Sequence, residues 1–522
     1  MLSRQETELV SCCTVDVLRA ATSNRLDLVT AKIPLESQQR QGWWGGLRRR
    51  RCFIVWIAEE VRANKSYETC QGKGMPRIIS VSGRGFALPS ILLLITILSL
   101  VAAGVISLVS VRHLEALREI AQVKAEYAAQ SGIAKMLAGR GGGEDWTSER
   151  FTFDDSSVAR VDVQPWGVFQ FVRSEGTSMR AKSTRFALAG SRPSNAFQQA
   201  LVFGNPSHQV VFAGTSSITG NVLVGQPGVT TGSLRNVRTP PRIPITGTIM
   251  KEPSPTIPQS QTDQVRVEIS TCKALLDGSA SPGLILVPGS NGTVQLESIP
   301  DSTASVRIGG NVTLGGNVAR REHPLRIAVN GRATLGAGVS LRGLVCLSSS
   351  QEMYVSGGAN MEHAILVSRK SIQLETGSVV LGQLISPIIE IDSGSTAKYP
   401  SAILSFPVDS MRQVQRIRVH SGARVEGLVA LAGTGPSSLQ ENIVEIEPGA
   451  VIVGASYSEN RTTLDGTVIG SVFTKDFYFY QPPTQYLGWI RSGIINRTAL
   501  PPGYLVPLLF TTASQMDVMD WL

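Results

Sequence analysis

Apolar and polar positions change their rhythm three times along this chain. From Phe86 to Val111 the sequence FALPSILLLITILSLVAAGVISLVSV runs for 26 residues without a charge. At about 1.5 Å per residue, roughly 20 residues cross the hydrocarbon of a bilayer, so this stretch predicts one tilted membrane-spanning helix. The helical rhythm continues beyond it. Leu114, Leu117, Ala121, Ala125, Ala128 and Met136 recur at helical intervals, with Arg112, Glu115, Arg118, Glu119, Lys124 and Glu126 between them. The pattern predicts one helix over 86–138, apolar first and amphipathic afterwards, stopped by the glycine-rich stretch Gly139–Gly143.

Over 150–190 the period shortens to two. Ala159–Val163, Val168–Val172 and Thr184–Leu188 read as strands, with turns near Pro165-Trp166-Gly167 and at Glu175-Gly176. A small antiparallel sheet is expected here.

From 197 to 480 short strands alternate with glycine corners. Val306-Arg307-Ile308-Gly309-Gly310 and Ile327-Ala328-Val329-Asn330-Gly331 carry the pattern, and so do Ser371-Ile372-Gln373-Leu374 and Ile389-Glu390-Ile391-Asp392. A spacing of about 18 to 27 residues matches one coil of a solenoid, whose stacked coils bury an apolar column that no coil could bury alone. The fold class is mainly β with one long N-terminal transmembrane α-helix and a parallel β-helix (solenoid) domain, of either hand. A β-sandwich is the alternative, although it calls for longer strands and tighter hairpins. The proline-rich insertion 236–262 is expected to leave the sheet and lead into a helix near Gln264–Leu276. The aromatic, proline-rich tail 481–522 is expected to cap the open end of the solenoid.

Composition sharpens this picture. Fifty-one glycines, 17% charged and 6% aromatic residues suit short strands joined by tight turns. Most of the net charge of +9 lies before the apolar segment, in Arg48–Arg51, Lys73, Arg77 and Arg84 among others. Basic residues there place the N-terminus in the cytoplasm and export everything after Val111. The remainder carries no phosphate-binding stripe, so nucleic acid is not expected as a partner. Residues 1–74 hold Trp43-Trp44, Cys12, Cys13, Cys52 and Cys70 without periodicity. They read as a disordered cytoplasmic stretch, or as an extension ahead of a native start at Met75 with 75–85 as a basic leader.

Candidate chemistry is sparse. His113, His208, His323, His363 and His420 are scattered without metal-ligand spacing, and no nucleophile elbow, phosphate loop or CxxC appears. Glu390/Asp392 and Glu445/Glu447 put two carboxylates on one strand face, about 7 Å apart. Their alternation with Ile and Val reads as a solvated face. No catalytic, cofactor or metal residue is assigned, and the chain is not expected to be an enzyme. Cys272 and Cys346 follow the apolar segment and are read either as one disulfide or as two buried thiols.

Gly83-Arg84-Gly85-Phe86-Ala87-Leu88, followed by the apolar helix, resembles the leader junction of type IV prepilins. Ala125-Glu126-Tyr127-Ala128-Ala129-Gln130-Ser131-Gly132-Ile133 is similar to the helix of the larger minor pilins and pseudopilins. The likeness covers about 55 residues. It implies cleavage between Gly85 and Phe86 by a prepilin peptidase, methylation of the new terminus, and a helix packed among other pilin-like or envelope-assembly subunits. It also implies residence in a bacterial inner membrane, with the remainder periplasmic or extracellular, and a small sheet packed on the exposed half of the helix. Ser90 stands where major pilins carry Glu, a departure shared by some minor pseudopilins at filament tips. The function so implied is that of a minor pilin or pseudopilin with a solenoid module for assembly or adhesion, with a surface or polysaccharide as a candidate ligand. The alternatives are an ordinary signal anchor carrying a solenoid scaffold that polymerises coil on coil, and an anchored polysaccharide-active enzyme.

Overall fold

The computed structural model describes residues 87–139, 148–234, 237–409, 413–433, 441–510 and 515–522. The junction Gly85–Phe86, the leader 75–85 and the segment 1–74 lie outside the described residues.

Helix α1 spans Ala87–Gly139 and is long and apolar enough to cross a membrane. Pro89 sits in its first turn, where the N–H that proline lacks has no helical acceptor in any case. Leucines, isoleucines and valines from Leu88 to Val111 are exposed, whereas Ala121, Ala125, Ala128, Ala129, Ile133, Met136 and Leu137 form a buried stripe.

That stripe packs on an antiparallel sheet of β1 (Ser148–Thr152), β2 (Val158–Trp166), β3 (Phe169–Ser178) and β4 (Ala181–Ser191). The C-terminal strand Met516–Trp521 adds to the free edge of β4. Alternation gives the sheet two buried faces. Val161, Val163, Val172, Ala187 and Ala189 meet Ile133, Met136 and Leu137 of α1, while Phe169, Phe171, Phe186 and Leu188 face away from it. The turn expected at Glu175-Gly176 is absent: β3 runs through it and turns at Met179-Arg180. Gly176 serves close approach instead. A Cβ there would stand 2.6 Å from the Ala129 nitrogen and overlap the Ala125 carbonyl.

Beyond β4 the chain forms a large parallel β-solenoid with three strand columns, which sets the β-sandwich aside. One column holds short strands such as Met353–Val355, Ser371–Leu374, Ile388–Ile391 and Arg416–Val419. The other two are the halves of bent strands such as Ser340–Ser349, Asn360–Ser368 and Val379–Ser386. Stacked partners in consecutive coils lie from 15 residues apart (Arg461 and Asp476) to 28 (Thr396 and Arg424). Inside, Leu341, Met361, Val380, Leu366, Leu384, Leu374 and Ile391 belong to one continuous apolar core. At one corner Gly427, Gly454 and Gly470 stack in register with φ of 137°, 138° and 144°, a backbone that side chains rarely tolerate.

The stack does not follow chain order. Strands 467–474 pair onward to Leu201–Phe203 and Ile494–Asn496, and these lead to Ser217–Thr219 and Val222–Val224. The coil of Ile245–Thr246 and Ile249–Lys251 comes last. Two expectations are thereby corrected. The insertion 236–262 does not leave the sheet altogether, because Pro244 and Pro253 flank its two strands and leave the paired N–H groups intact; Ile218 donates to the Pro244 carbonyl at 2.9 Å. The tail 481–522 is a seam and a sheet edge rather than an end cap, because Ile490 and Ile495 are buried in the apolar column.

Helix α2, Asp263–Asp277, follows the last of these coils and precedes Leu284–Leu286 at the opposite end of the stack. It covers the outer face of one strand column together with the antiparallel sheet and the segment Val506–Phe510. Leu344, Cys346, Ile365, Val367, Leu404, Leu428, Tyr457 and Phe473 therefore point out of the solenoid yet are buried.

Candidate functional site

The joint between sheet and solenoid is built on the β2–β3 turn. Buried Gln383 accepts from the Val168 N–H at 2.8 Å and donates to the Trp166 carbonyl at 2.7 Å. The Trp166 indole donates to the His363 carbonyl at 2.9 Å. Three hydrogen bonds thus satisfy polar groups that would be costly to bury alone. The sheet is fixed to the solenoid, so the buried half of α1, the sheet and the solenoid are packed layers and not domains on a flexible tether.

The carboxylate pairs noted in the sequence lie on the short-strand column, where Glu390, Arg418 and Glu445 are in register. Arg418 lies 3.3 Å from Glu445 and 2.8 Å from Glu447, and His420 lies 3.2 Å from Glu447 and 3.9 Å from Asp392. Arg416 approaches Glu445 at 3.5 Å, and Gln373 donates to Asp392 at 3.0 Å. Burial opposes ionisation of Glu447, but the Ser421 N–H, His420 and Arg418 outweigh it and hold the carboxyl below its ordinary range. A general acid for glycoside chemistry needs the opposite shift. The arrangement is an alternating charge ladder that holds adjacent coils in register.

Asp465 is the contrasting case. Burial raises its pKa, while Arg491 beside it, whose Nε is 3.1 Å from the carboxylate, lowers it. The other histidines stay apart. His113 and His323 are exposed, His208 bonds Asp476 at 2.6 Å, and His363 is buried 3.5 Å from Asp520. A depression between the end of α1 and the C-terminal strand is lined by Gln130, Ala134, Arg192, Asp517 and Trp521, and Asp517 is paired with Arg192 at 3.1 Å.

One cluster is only partly visible in the sequence, where Cys272 and Cys346 are read together but Glu268 is not read with them. Glu268, Cys272 and Cys346 bring a carboxylate oxygen and two sulfurs within 4.8 Å of one another, all buried. Arg326 bonds both Glu268 oxygens at 3.1 and 3.2 Å. The i, i+4 spacing of Glu268 and Cys272 on an amphipathic helix was the available signal.

No family model and no curated protein matches the chain. Solved structures similar to it include an ice-binding protein (LeIBP) from an Arctic yeast, at 14% identity and a TM-score of 0.21, covering 41% of this chain and 94% of that one. The competence-associated pilin ComZ from Thermus thermophilus is similar at 13% identity and a TM-score of 0.19, covering 77% of this chain and 97% of that one. Both scores lie far below that of a shared overall fold, and no function is read from either.

Proposed function

We propose that this chain is a membrane-anchored structural subunit of minor-pilin or pseudopilin type that carries a β-solenoid on its exported side. The supporting observation is the division of α1. Its first half is apolar and exposed from Leu88 to Val111, and its second half is packed on an antiparallel sheet through Gly132 and Gly176. An apolar helix half left uncovered by the described residues calls for lipid or the apolar core of an assembly.

In this reading the helix waits in the inner membrane with its N-terminus cytoplasmic, is released by a prepilin peptidase after Gly85, and packs among other pilin-like subunits. Ser90, in place of the glutamate of major pilins, fits a minor or initiating subunit. The solenoid acts without catalysis, as an assembly or adhesion module facing a surface or polysaccharide ligand.

A second reading is favoured by the ends of the stack. Among the described residues, strands Ile249–Lys251 and Leu284–Leu286 each pair on one side only, which leaves edges open to coil-on-coil growth.

A photo-crosslinking residue in place of Leu98, activated in native cells, separates the two. Crosslinks to another pilin-like helix support the pilin reading. Crosslinks to lipid alone, with copies joined through the solenoid ends, contradict it.

A further inference from the structure

We infer that Cys272 and Cys346 are joined in the exported protein as a disulfide that fastens α2 to the solenoid. The inference rests on that part of the proposed function which places residues beyond Val111 outside the cytoplasm.

Cys272 lies on the inner face of α2 with Val265 and Ile269, and Cys346 points outward from the bent strand Ser340–Ser349 into the same layer. Their sulfurs are 3.3 Å apart and both side chains are buried. The bonded separation is about 2.05 Å, so the sulfurs need to close by only about 1.2 Å. The partner thiol and burial both keep Cys346 a neutral thiol well above its ordinary pKa. Enclosure also keeps an outside thiolate from reaching either sulfur, so the bond once formed is a fastener rather than a switch.

The same cluster invites a metal reading, which the charges oppose. Glu268 already gives both oxygens to Arg326, and a guanidinium at 3.1 Å is a poor neighbour for a cation. A closed structural site also wants a fourth donor.

The oxidant is an exchangeable disulfide, either that of an envelope thiol oxidoreductase or a low-molecular-weight one such as glutathione disulfide. One cysteine thiolate attacks it and forms a mixed disulfide, releasing the first of its sulfurs as a thiol. The second cysteine thiolate then attacks the first cysteine's sulfur and releases the other sulfur. Two electrons pass to the oxidant, which is reduced to its two thiols, and the two cysteine protons are transferred to them. Because both sulfurs are enclosed once α2 has docked, the exchange precedes docking.

The bond joins residues 74 apart and holds the one described segment that returns from one end of the stack to the other. Without it, α2 is retained by side-chain packing and by polar contacts that include Glu268–Arg326, Lys273–Asp409, Asp277–Arg369 and the bond that Arg307 donates to the Leu276 carbonyl.

The test uses the full chain from native membranes, denatured in an alkylating reagent without reductant, with peptides identified by mass. The expected result is an unalkylated Cys272–Cys346 peptide pair, about 2 Da lighter than the two thiols and separated by reductant. Cells with permeabilised outer membranes are labelled in parallel with a membrane-impermeant lysine reagent. A labelled domain with both cysteines alkylated overturns the disulfide and leaves export standing. An unlabelled domain with both alkylated shows that export itself fails and takes the inference with it. A zinc-bound mass in the native protein overturns it in favour of a metal. The detergent-solubilised protein supplies a second readout: its denaturant midpoint, taken at equilibrium so that reductant reaches the sulfurs in the unfolded chain, should fall when reductant is present, and an unchanged midpoint contradicts a fastening role.

Discussion

Gly176 of β3 passes so close to Ala129 of α1 that a Cβ on the glycine would stand 2.6 Å from the Ala129 nitrogen. Gly132, one turn further along α1, repeats the relation from the other side, since its Cβ would lie 2.6 Å from that of Ala159 in β2. Small residues at these positions let the helix lie on the sheet at backbone distance. They explain why the sequence Ala125–Ile133 is rich in alanine and glycine while still forming a helix.

Gly176→Ala is therefore expected to destabilise the fold by about 1–3 kcal/mol, as overpacking against backbone does. Gly309→Ala, whose Cβ meets nothing within 4 Å, serves as the control and should stay within about 0.5 kcal/mol. Denaturant unfolding of the detergent-solubilised proteins measures both. Equal effects would show that the close approach does not matter.

The joint through Gln383 carries its own prediction. Gln383→Leu keeps the volume but leaves the Val168 N–H and the Trp166 carbonyl buried without partners. A loss of about 2–3 kcal/mol is expected, roughly one penalty for each orphaned group. Tryptophan fluorescence should report a changed Trp166 environment before global unfolding. A neutral substitution would mean that the turn relaxes and finds water.

Much of this architecture was legible from residues. The apolar-to-amphipathic change in α1 and the glycine corners mark helix and solenoid because both depend on local periodicity. Three features were not legible. Gly176 looks like a turn residue until the helix above it is known, since close approach and positive φ leave the same mark in a sequence. The seam between Ile494–Asn496 and Ser217–Thr219 pairs opposite ends of the domain, and no local pattern encodes that register. The outward-facing Ile365, Val367 and Leu404 make their strands apolar on both faces, which announces a covering layer but not which segment supplies it.

Asp465 and Arg491 supply an electrostatic test. Arg491→Ala leaves a carboxylate with 8% side-chain exposure without its partner, and breaking such a pair costs about 3 kcal/mol. Burial already raises the Asp465 pKa, and loss of the guanidinium raises it further, so this carboxyl takes up a proton as the pH falls. The deficit relative to the unmodified chain should be largest near neutral pH and smaller at about pH 4–5. A pH-independent deficit would assign the loss to the contact that Arg491 makes with the Phe479 ring, 4.5 Å from its centroid.

His363 predicts a second pH dependence with its own sign. Burial holds its pKa below the ordinary 6.5, against the pull of Asp520 and Glu362. The unfolded chain therefore binds a proton that the folded chain refuses. Stability should decline as pH falls below 6.5 and stop declining once the folded-state pKa is passed. His363→Asn removes the titration while tolerating the backbone φ of 61°. Its stability profile should be the flatter of the two across that window, and parallel profiles would contradict the assignment.

The most direct measurement is the N-terminal sequence and intact mass of the protein purified from native membranes. The account predicts a mature chain that begins at an N-methylated Phe86. An uncleaved, membrane-bound chain beginning at Met75 or Met1 would contradict it and leave an anchored solenoid outside any pilin assembly.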